Sequence, residues 1–446
     1  MIIWLTRGKN TGKEEQMKKK RLLVILGIVG LILTLVALPV AGCAKPAGPI
    51  KVGIAAAHTG FAAPYWPGCQ EILDVVIDVI NADPPLGRTV ELVYDDAEGS
   101  IEGNIKVANY LGGQGVAYAV GYDSEGLWSA LDVIERFGTP TFTHWAGTPK
   151  LDKTETGKRG LFYRTTSGDT IMYAMYGLYW KTELTPKGFS KAAVLNDVGE
   201  ASRGSAQVAA WSFERAGVDI VHTKEFSEDE TTFSRILADA FAEKPDAVFF
   251  AGSPEQGTTA FKQWWDSALS KDIIWFVSDE YATAGVLDAL TPAPGAFDDK
   301  MLGPNPAIGE GLREYVGTSY DVMINAFQAR YGAGAEPEHG FAINLWDAII
   351  VGALAIEAAG DAAPEAVAPQ IKIVSSPPGV KVYSYAEGIK ALREGKDIDF
   401  EGAGSLCNFD EWGNVYPPTG MYMVINGDWE QIRVYAPEEI RDFIAR

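Results

Sequence analysis

The sequence predicts an α/β protein of two lobes, each built on an open parallel sheet, and three observations lead there. The chain has 446 residues, 47% of them apolar and 22% charged, which is too long for one ordinary core and too apolar for disorder. From Ile50 onward, short β-rich runs alternate with helical periodicity, the pattern of a parallel sheet covered on both faces. The alternation comes in two series, separated by a polar stretch.

Taken in order, Ile50-Lys51-Val52-Gly53-Ile54 reads as the first strand. Ile72, Val75, Val76, Val79 and Ile80 then recur at helical spacing, and Val90-Glu91-Leu92-Val93-Tyr94 restores the strand pattern. Residues 116–120 follow as strand, 129–137 as helix and 140–143 as strand. The second series runs strand 192–195, helix 205–216, strand 219–221, helix 233–242, strand 246–250, helix 258–268 and strand 273–277. Between the series lies Tyr163-Arg164-Thr165-Thr166, flanked by Gly160 and Gly168, a natural crossing between lobes. A long helix is expected over 342–358, with a Pro-rich break at 363–370.

The first 42 residues are a separate matter. Met17-Lys18-Lys19-Lys20-Arg21 places a basic n-region before 21 uncharged residues, 22–42. Such a run is long enough to stay in a bilayer as a permanent helix. Its end points instead to export and cleavage, because Val40-Ala41-Gly42-Cys43 resembles the bacterial lipoprotein box, in which the Cys thiol takes a lipid. Residues 1–16 then read as a start-site extension, 1–42 as the export signal and 43–49 as a tether anchored through Cys43.

Residues 1–42 hold seven of the 38 Lys and Arg and two of the 59 Asp and Glu, so a chain cleaved there carries 31 basic and 57 acidic residues, net −26. Such a surface repels phosphate backbones, and no nucleic-acid partner is expected. With Cys43 assigned to lipid, Cys69 and Cys407 remain as an even pair in an oxidising compartment, where a disulfide is one outcome. The four histidines, His58, His144, His222 and His339, show no metal-ligand spacing; no metal or cofactor is expected. Neither a phosphate-binding P-loop nor a Gly-x-Ser-x-Gly elbow is present, so the reading is a binding protein rather than an enzyme.

In open parallel sheets, ligands sit beyond the carboxyl ends of the strands. The loops there span 57–68, 95–100, 121–126, 144–148, 197–204, 252–256 and 278–283, and together would make a polar site with aromatic walls.

Four stretches carry a family resemblance: Ile50 to Ile54 with Thr59-Gly60; Tyr94-Asp95-Asp96-Ala97; Trp346-Asp347-Ala348 with Ala358-Ala359-Gly360; and Gly402-Ala403-Gly404-Ser405 with Asn408-Phe409-Asp410-Glu411-Trp412-Gly413. In this order the chain resembles the leucine/isoleucine/valine-binding family of periplasmic receptors, which have the type I periplasmic-binding-protein fold of two Rossmann-like lobes. The resemblance implies three crossing segments, near 163–168, 302–308 and 412–418. One lobe would be 48–165 plus 304–412, the other 166–303 plus 413–446. It also implies a small-molecule ligand between the lobes and ABC permease subunits as partners, with the receptor itself a monomer. Both cysteines would fall in the N-terminal lobe, and the pairing of Cys69 with Cys407 is expected there.

The family's ligand contacts carry over only in part. Its amine-binding acid falls on Glu280, its carboxylate-binding hydroxyl near Ser124, and the loop that follows on Trp145, Ala146, Gly147 and Thr148. Tyr65 or Trp66 would line the side-chain pocket, Ser253 stands where the family has a Tyr, and the aromatic expected near Ala201 is missing. Asp123 is out of keeping with a carboxylate site: it points away or meets a donor on the ligand. Each residue also has an ordinary reading: Glu280 beside Asp279 as a solvated loop pair, Ser124, Gly147 and Thr148 as turn and cap residues, and Tyr65, Trp66 and Trp145 as packing. The expected ligand is an amino acid or a related small polar compound. The alternatives are an aromatic acid or amide, or a sensing lipoprotein of the same fold that reports to a receptor.

Overall fold

The computed structural model describes residues 48–445 except Phe61 and Thr283. The export signal, Cys43 and most of the tether lie outside the described residues.

The first sheet holds β1 (Ile50–Ala56), β2 (Val90–Asp96), β3 (Ala119–Gly121), β4 (Thr141–Thr143) and β5 (Phe162–Arg164), in the order β2-β1-β3-β4-β5. All its pairings are parallel. The second holds β6 (Lys191–Asp197), β7 (Asp219–Phe226), β8 (Ala247–Ala251), β9 (Ile274–Val277) and β10 (Met301–Pro306), joined by β13 (Thr419–Ile425) and β14 (Asp428–Tyr435). Its order is β14-β13-β10-β9-β8-β6-β7. Pairings from β10 to β7 are parallel, whereas β13 runs antiparallel to both β10 and β14. Both sheets are thus parallel-dominated, as the sequence predicts, with an antiparallel hairpin closing one edge of the second. A small ladder pairs β11 (Val380–Val382) with β12 (Ile398–Phe400).

Central strands are buried on both faces, as in β8, all of whose residues are buried. Helices cover them, and the longest, Gly340–Ala359, is buried along nearly its whole length. It is long and apolar enough to cross a membrane by length and composition, but here it packs as the core of the first sheet's lobe. Gly352 makes the fit possible, since a Cβ there would stand 2.3 Å from the Tyr118 ring. The Pro-rich break at 363–370 proves to hold a helical turn, Pro364–Val367, and the start of another, Gln370–Val374.

Cys69 and Cys407 are both buried and free, which corrects the expected disulfide. The Cys69 thiol lies 3.5 Å from His144 Nε2, and that of Cys407 3.7 Å from the Ser405 hydroxyl.

Three stretches of chain pass from one sheet's layers to the other's and lie side by side. Arg164 donates its amide to Gly413 O (2.8 Å), Ala307 donates to Pro418 O (3.3 Å), and the hydroxyls of Ser167 and Thr419 meet at 3.1 Å. Thr165 ties the first stretch to the long helix through Asn344 O (2.8 Å). The carboxyl ends of β1, β3 and β4 thereby face those of β6, β8 and β9.

Candidate functional site

Backbone geometry at the strand ends builds one wall. Gly121 closes β3 with φ +119°, and a Cβ there would fall 2.1 Å from Ala55 O, so only glycine lets β3 end so close to β1. The turn it starts carries Asp123, Ser124 and Glu125. Ser124 is a hub rather than an open ligand: its Oγ accepts from the amides of Gly147 (3.0 Å) and Thr148 (3.4 Å). Asp123 turns to its own lobe, accepting from Asn104 Nδ2 (3.0 Å) and the Gly126 amide (3.2 Å). Burial pushes its carboxyl up to about 7. Trp145 is fixed by its indole N–H on Tyr122 O (2.8 Å) and by stacking on His144 at 4.3 Å. Burial holds the His144 imidazole down at about 3, so it stays neutral.

The facing wall comes from the turn after β9 and from Asp169, which opens a short helix just after the first crossing. Glu280 Oε2 accepts from Ser278 Oγ (2.6 Å). Asp279 accepts at its carboxylate from Tyr173 and at its carbonyl from Tyr65 Oη (2.7 Å). Burial raises the carboxyls of Asp169, Asp279 and Glu280, and for Glu280 the neighbouring Asp279 adds to it.

Between the walls lies a cavity of about 40 Å³ lined by Tyr65, Asp123, Ser124, Trp145, Gly147 and Glu280 among the expected residues. Asp169, Asp279, Phe341, Ala62 and Ala201 line it as well. Glu280 also borders a second cavity of about 190 Å³, where Ser253 stands with Glu125, Asp197 and Glu228. Ser253 is foremost a helix cap, its hydroxyl and the Gln256 side chain exchanging bonds with backbone amides at the start of the helix Pro254–Asp266.

Three expected residues line neither cavity. Trp66 is buried against His58 (5.1 Å) and Trp145 (6.5 Å), behind the wall. Ala146 sits under the loop with its amide on Thr143 Oγ1 (2.9 Å). Thr148 reaches across instead, its hydroxyl donating to Glu200 Oε1 (2.7 Å).

The two walls are in contact. Besides Thr148 and Lys150, both on Glu200, the Glu125 carboxylate accepts from the amides of Glu200 (2.9 Å) and Ala201 (2.8 Å). These are the first amides of the helix Glu200–Arg215, where unpaired N–H groups and the helix dipole favour an anion.

Among the described residues, no Lys or Arg lines either cavity. Arg164 stands nearby, but its guanidinium is taken by Asp152 (2.8 Å) and Thr148 O (3.1 Å). Among the described residues no group of three or more His, Cys, Asp and Glu is arranged to hold a metal ion. The walls therefore suit an organic cation or a set of hydrogen-bond donors, with Tyr65, Trp145 and Phe341 offering apolar faces.

Asp169 is missing from the residues expected on sequence because its one signal is position, an acid at the start of a helix just past the crossing. Phe341 gives none beyond the long helix it opens.

A family described as periplasmic binding protein matches residues 49–409. The Leu/Ile/Val-binding protein BraC3 of Rhizobium johnstonii is 27% identical over 229 residues, 50% of this chain and 60% of that protein. The leucine-, isoleucine-, valine-, threonine-, and alanine-binding protein of Pseudomonas aeruginosa is 26% identical over 388 residues, 84% of this chain and 94% of that protein. The match thus spans about three fifths of the first relative's length and nearly all of the second's. Among solved structures, the branched-chain amino acid transporter substrate-binding protein LivJ of Streptococcus pneumoniae, in complex with isoleucine, superposes with a TM-score of 0.69 at 18% identity. That likeness covers 87% of this chain and 99% of LivJ. A solute-binding protein of an ABC transporter from R. palustris, in complex with benzoate, gives 0.66 at 17% identity, over 87% of this chain and 97% of that one. At such identities the likeness is one of fold.

Proposed function

This chain belongs to the periplasmic binding protein family, and from that premise we propose that it is an exported receptor, anchored by lipid on Cys43, that captures a small amine-bearing solute and hands it to an ABC importer. The lobes of the clamp are residues 48–165 plus 304–412 and residues 166–303 plus 413–446, and the solute lies between them. Closure and opening are the two states that the ligand rebalances.

One observation carries the ligand class: Glu280 is a half-buried carboxylate in the cleft wall with only a hydroxyl as hydrogen-bond partner, and no Lys or Arg among the described residues lines the space before it. An ammonium group supplies the missing charge, and closure strengthens the pair by removing water. Tyr65, Trp145 and Phe341 enclose the hydrocarbon part. The aromatic-acid reading fares worse, because a ligand carboxylate would meet Asp123, Asp169, Asp279 and Glu280 in the same small volume.

The test is calorimetry on wild type and Glu280→Gln against primary amines and their amine-free analogues, after native mass spectrometry of protein purified from its own host has identified the bound solute. Glu280→Gln is expected to weaken the amine by about 2–5 kcal/mol, some 30-fold to several-thousand-fold, and to leave the analogue nearly unaffected. Equal weakening of both compounds, or of neither, removes Glu280 as the amine partner.

A further inference from the structure

Besides Glu280, the cleft contains a buried carboxylate on which no hydrogen-bond donor falls. Asp169 is 6% exposed and lines the smaller cavity. Its amide is spent on Gly147 O (2.8 Å), but its carboxylate takes part in no hydrogen bond or ion pair among the described residues. The fold nevertheless makes room for it. A Cβ on Gly147 would stand 1.8 Å from Asp169 Oδ1, and one on Gly204 would stand 3.0 Å from Oδ2, so two side-chain-free positions cradle this carboxylate. Arg164 acts on it through its charge, but that guanidinium is bonded to Asp152 and Thr148 O, and a buried acid with no hydrogen-bond donor of its own is costly unless something outside the chain completes it.

The groups that would welcome an anion there are already committed. The amides of Gly147 and Thr148 point to the Ser124 hydroxyl, and the first amides of the helix Glu200–Arg215 to the Glu125 carboxylate. What remains open is negative at two places, Asp169 and Glu280, with aromatic faces between lobes and little room. Resting on the reading of Glu280 as an ammonium partner, we propose that the cleft takes a short aliphatic diamine without a free carboxylate, its second ammonium held by Asp169.

The probes are 1,4-diaminobutane, n-butylamine and 4-aminobutanoate, titrated calorimetrically into the intact mature protein. Wild type is expected to bind the diamine at least 100-fold more tightly than the monoamine, and 4-aminobutanoate more weakly still. Asp169→Asn is expected to weaken the diamine at least tenfold more than it changes the monoamine. The wild-type ranking needs no variant, so the proposal is exposed even if the substitution perturbs folding. Wild type binding 4-aminobutanoate or n-butylamine as tightly as the diamine overturns it. So does Asp169→Asn weakening mono- and diamine alike. If Glu280→Gln weakens every amine while Asp169→Asn weakens none, the second ammonium site falls and the amine receptor stands; if Glu280→Gln weakens no amine, both fall.

Discussion

Two buried acids in this protein share a side-chain chemistry and a glycine-lined seat and differ in what completes them. Asp347, inside the long helix, receives three backbone amides: Ala403 on Oδ1 (2.6 Å), Gly404 (2.8 Å) and Ser405 (3.0 Å) on Oδ2. Gly402 gives way to it, since a Cβ there would lie 2.5 Å from its Cγ. Asp169 is also buried and also cradled by glycines, yet its carboxylate accepts no hydrogen bond among the described residues and has only the charge of Arg164 in its favour. One acid is completed by the chain and fastens a loop to the core. The other is left without a hydrogen-bond donor at the cleft, where the proposed ligand would supply one.

The contrast breaks first at Asp347. Asp347→Ala leaves three buried amides without an acceptor, and a loss of about 3–5 kcal/mol of folding stability is expected, read as the shift of the urea transition. A loss under about 1 kcal/mol would mean that the loop 402–405 does not depend on this carboxylate.

Acidity sharpens it from the cleft side. Asp123 is raised by burial from the ordinary carboxylate range to about 7, and Asp169, Asp279 and Glu280 are raised in the same direction. In each case the folded state keeps its proton where the unfolded chain has lost it, so stability is full below the unfolded value and is lost as pH rises through the folded one. The ligand-free protein is therefore expected to lose about 2–4 kcal/mol between pH 4 and pH 7 from Asp123 alone, since each tenfold difference in acidity between the folded and unfolded chain is worth about 1.4 kcal/mol. Asp123→Asn flattens that part of the slope in melting curves taken across the range. A slope that the variant leaves intact assigns the effect to other groups.

The smallest effect concerns a residue with two readings. Ser253 borders the second cavity, but its bonds are those of a capping box. Ser253→Ala is expected to lower stability by about 1 kcal/mol, seen in the denaturation midpoint. No change in the midpoint would take the cap away from it.

Much of the fold is legible in the sequence because burial on two faces writes continuous apolar runs, as in β8 and β9. Helices begin earlier than apolar rhythm places them where the first turn is polar: Glu200-Ala201-Ser202-Arg203 and Pro254-Glu255-Gln256 carry no such rhythm, although Ser253 with Gln256 spells a cap. The C-terminal hairpin has its own signal in Asn426-Gly427, both at positive φ between alternating strands. Trp346-Asp347-Ala348 and Gly402-Ala403-Gly404-Ser405 stand in the sequence as separate motifs; in the structure they are one hydrogen-bonded unit. In the cleft, Glu280 and Ser124 are legible through the resemblance. Whether an acid is paired or bare is a fact of three-dimensional neighbours, which is why Asp169 leaves no mark, and why the two cysteines, equal in composition to a disulfide, prove to be separate thiols.

The bond from Glu125 to the first amides of the helix Glu200–Arg215 bears on how such a receptor would avoid false reports. With a carboxylate of one wall docked on a helix end of the other, an empty molecule already has a reason to shut. Shape alone would then be a poor message to a transporter, since vacant and loaded molecules could present the same outline. Acids on the two walls supply the correction: without a cation, bringing Glu125 of one wall up to Glu280 of the other works against the shut state, and with one between them it does not. In the proposed receptor, discrimination would then reside in the balance between a latch that ignores the cargo and a repulsion that only the cargo can silence.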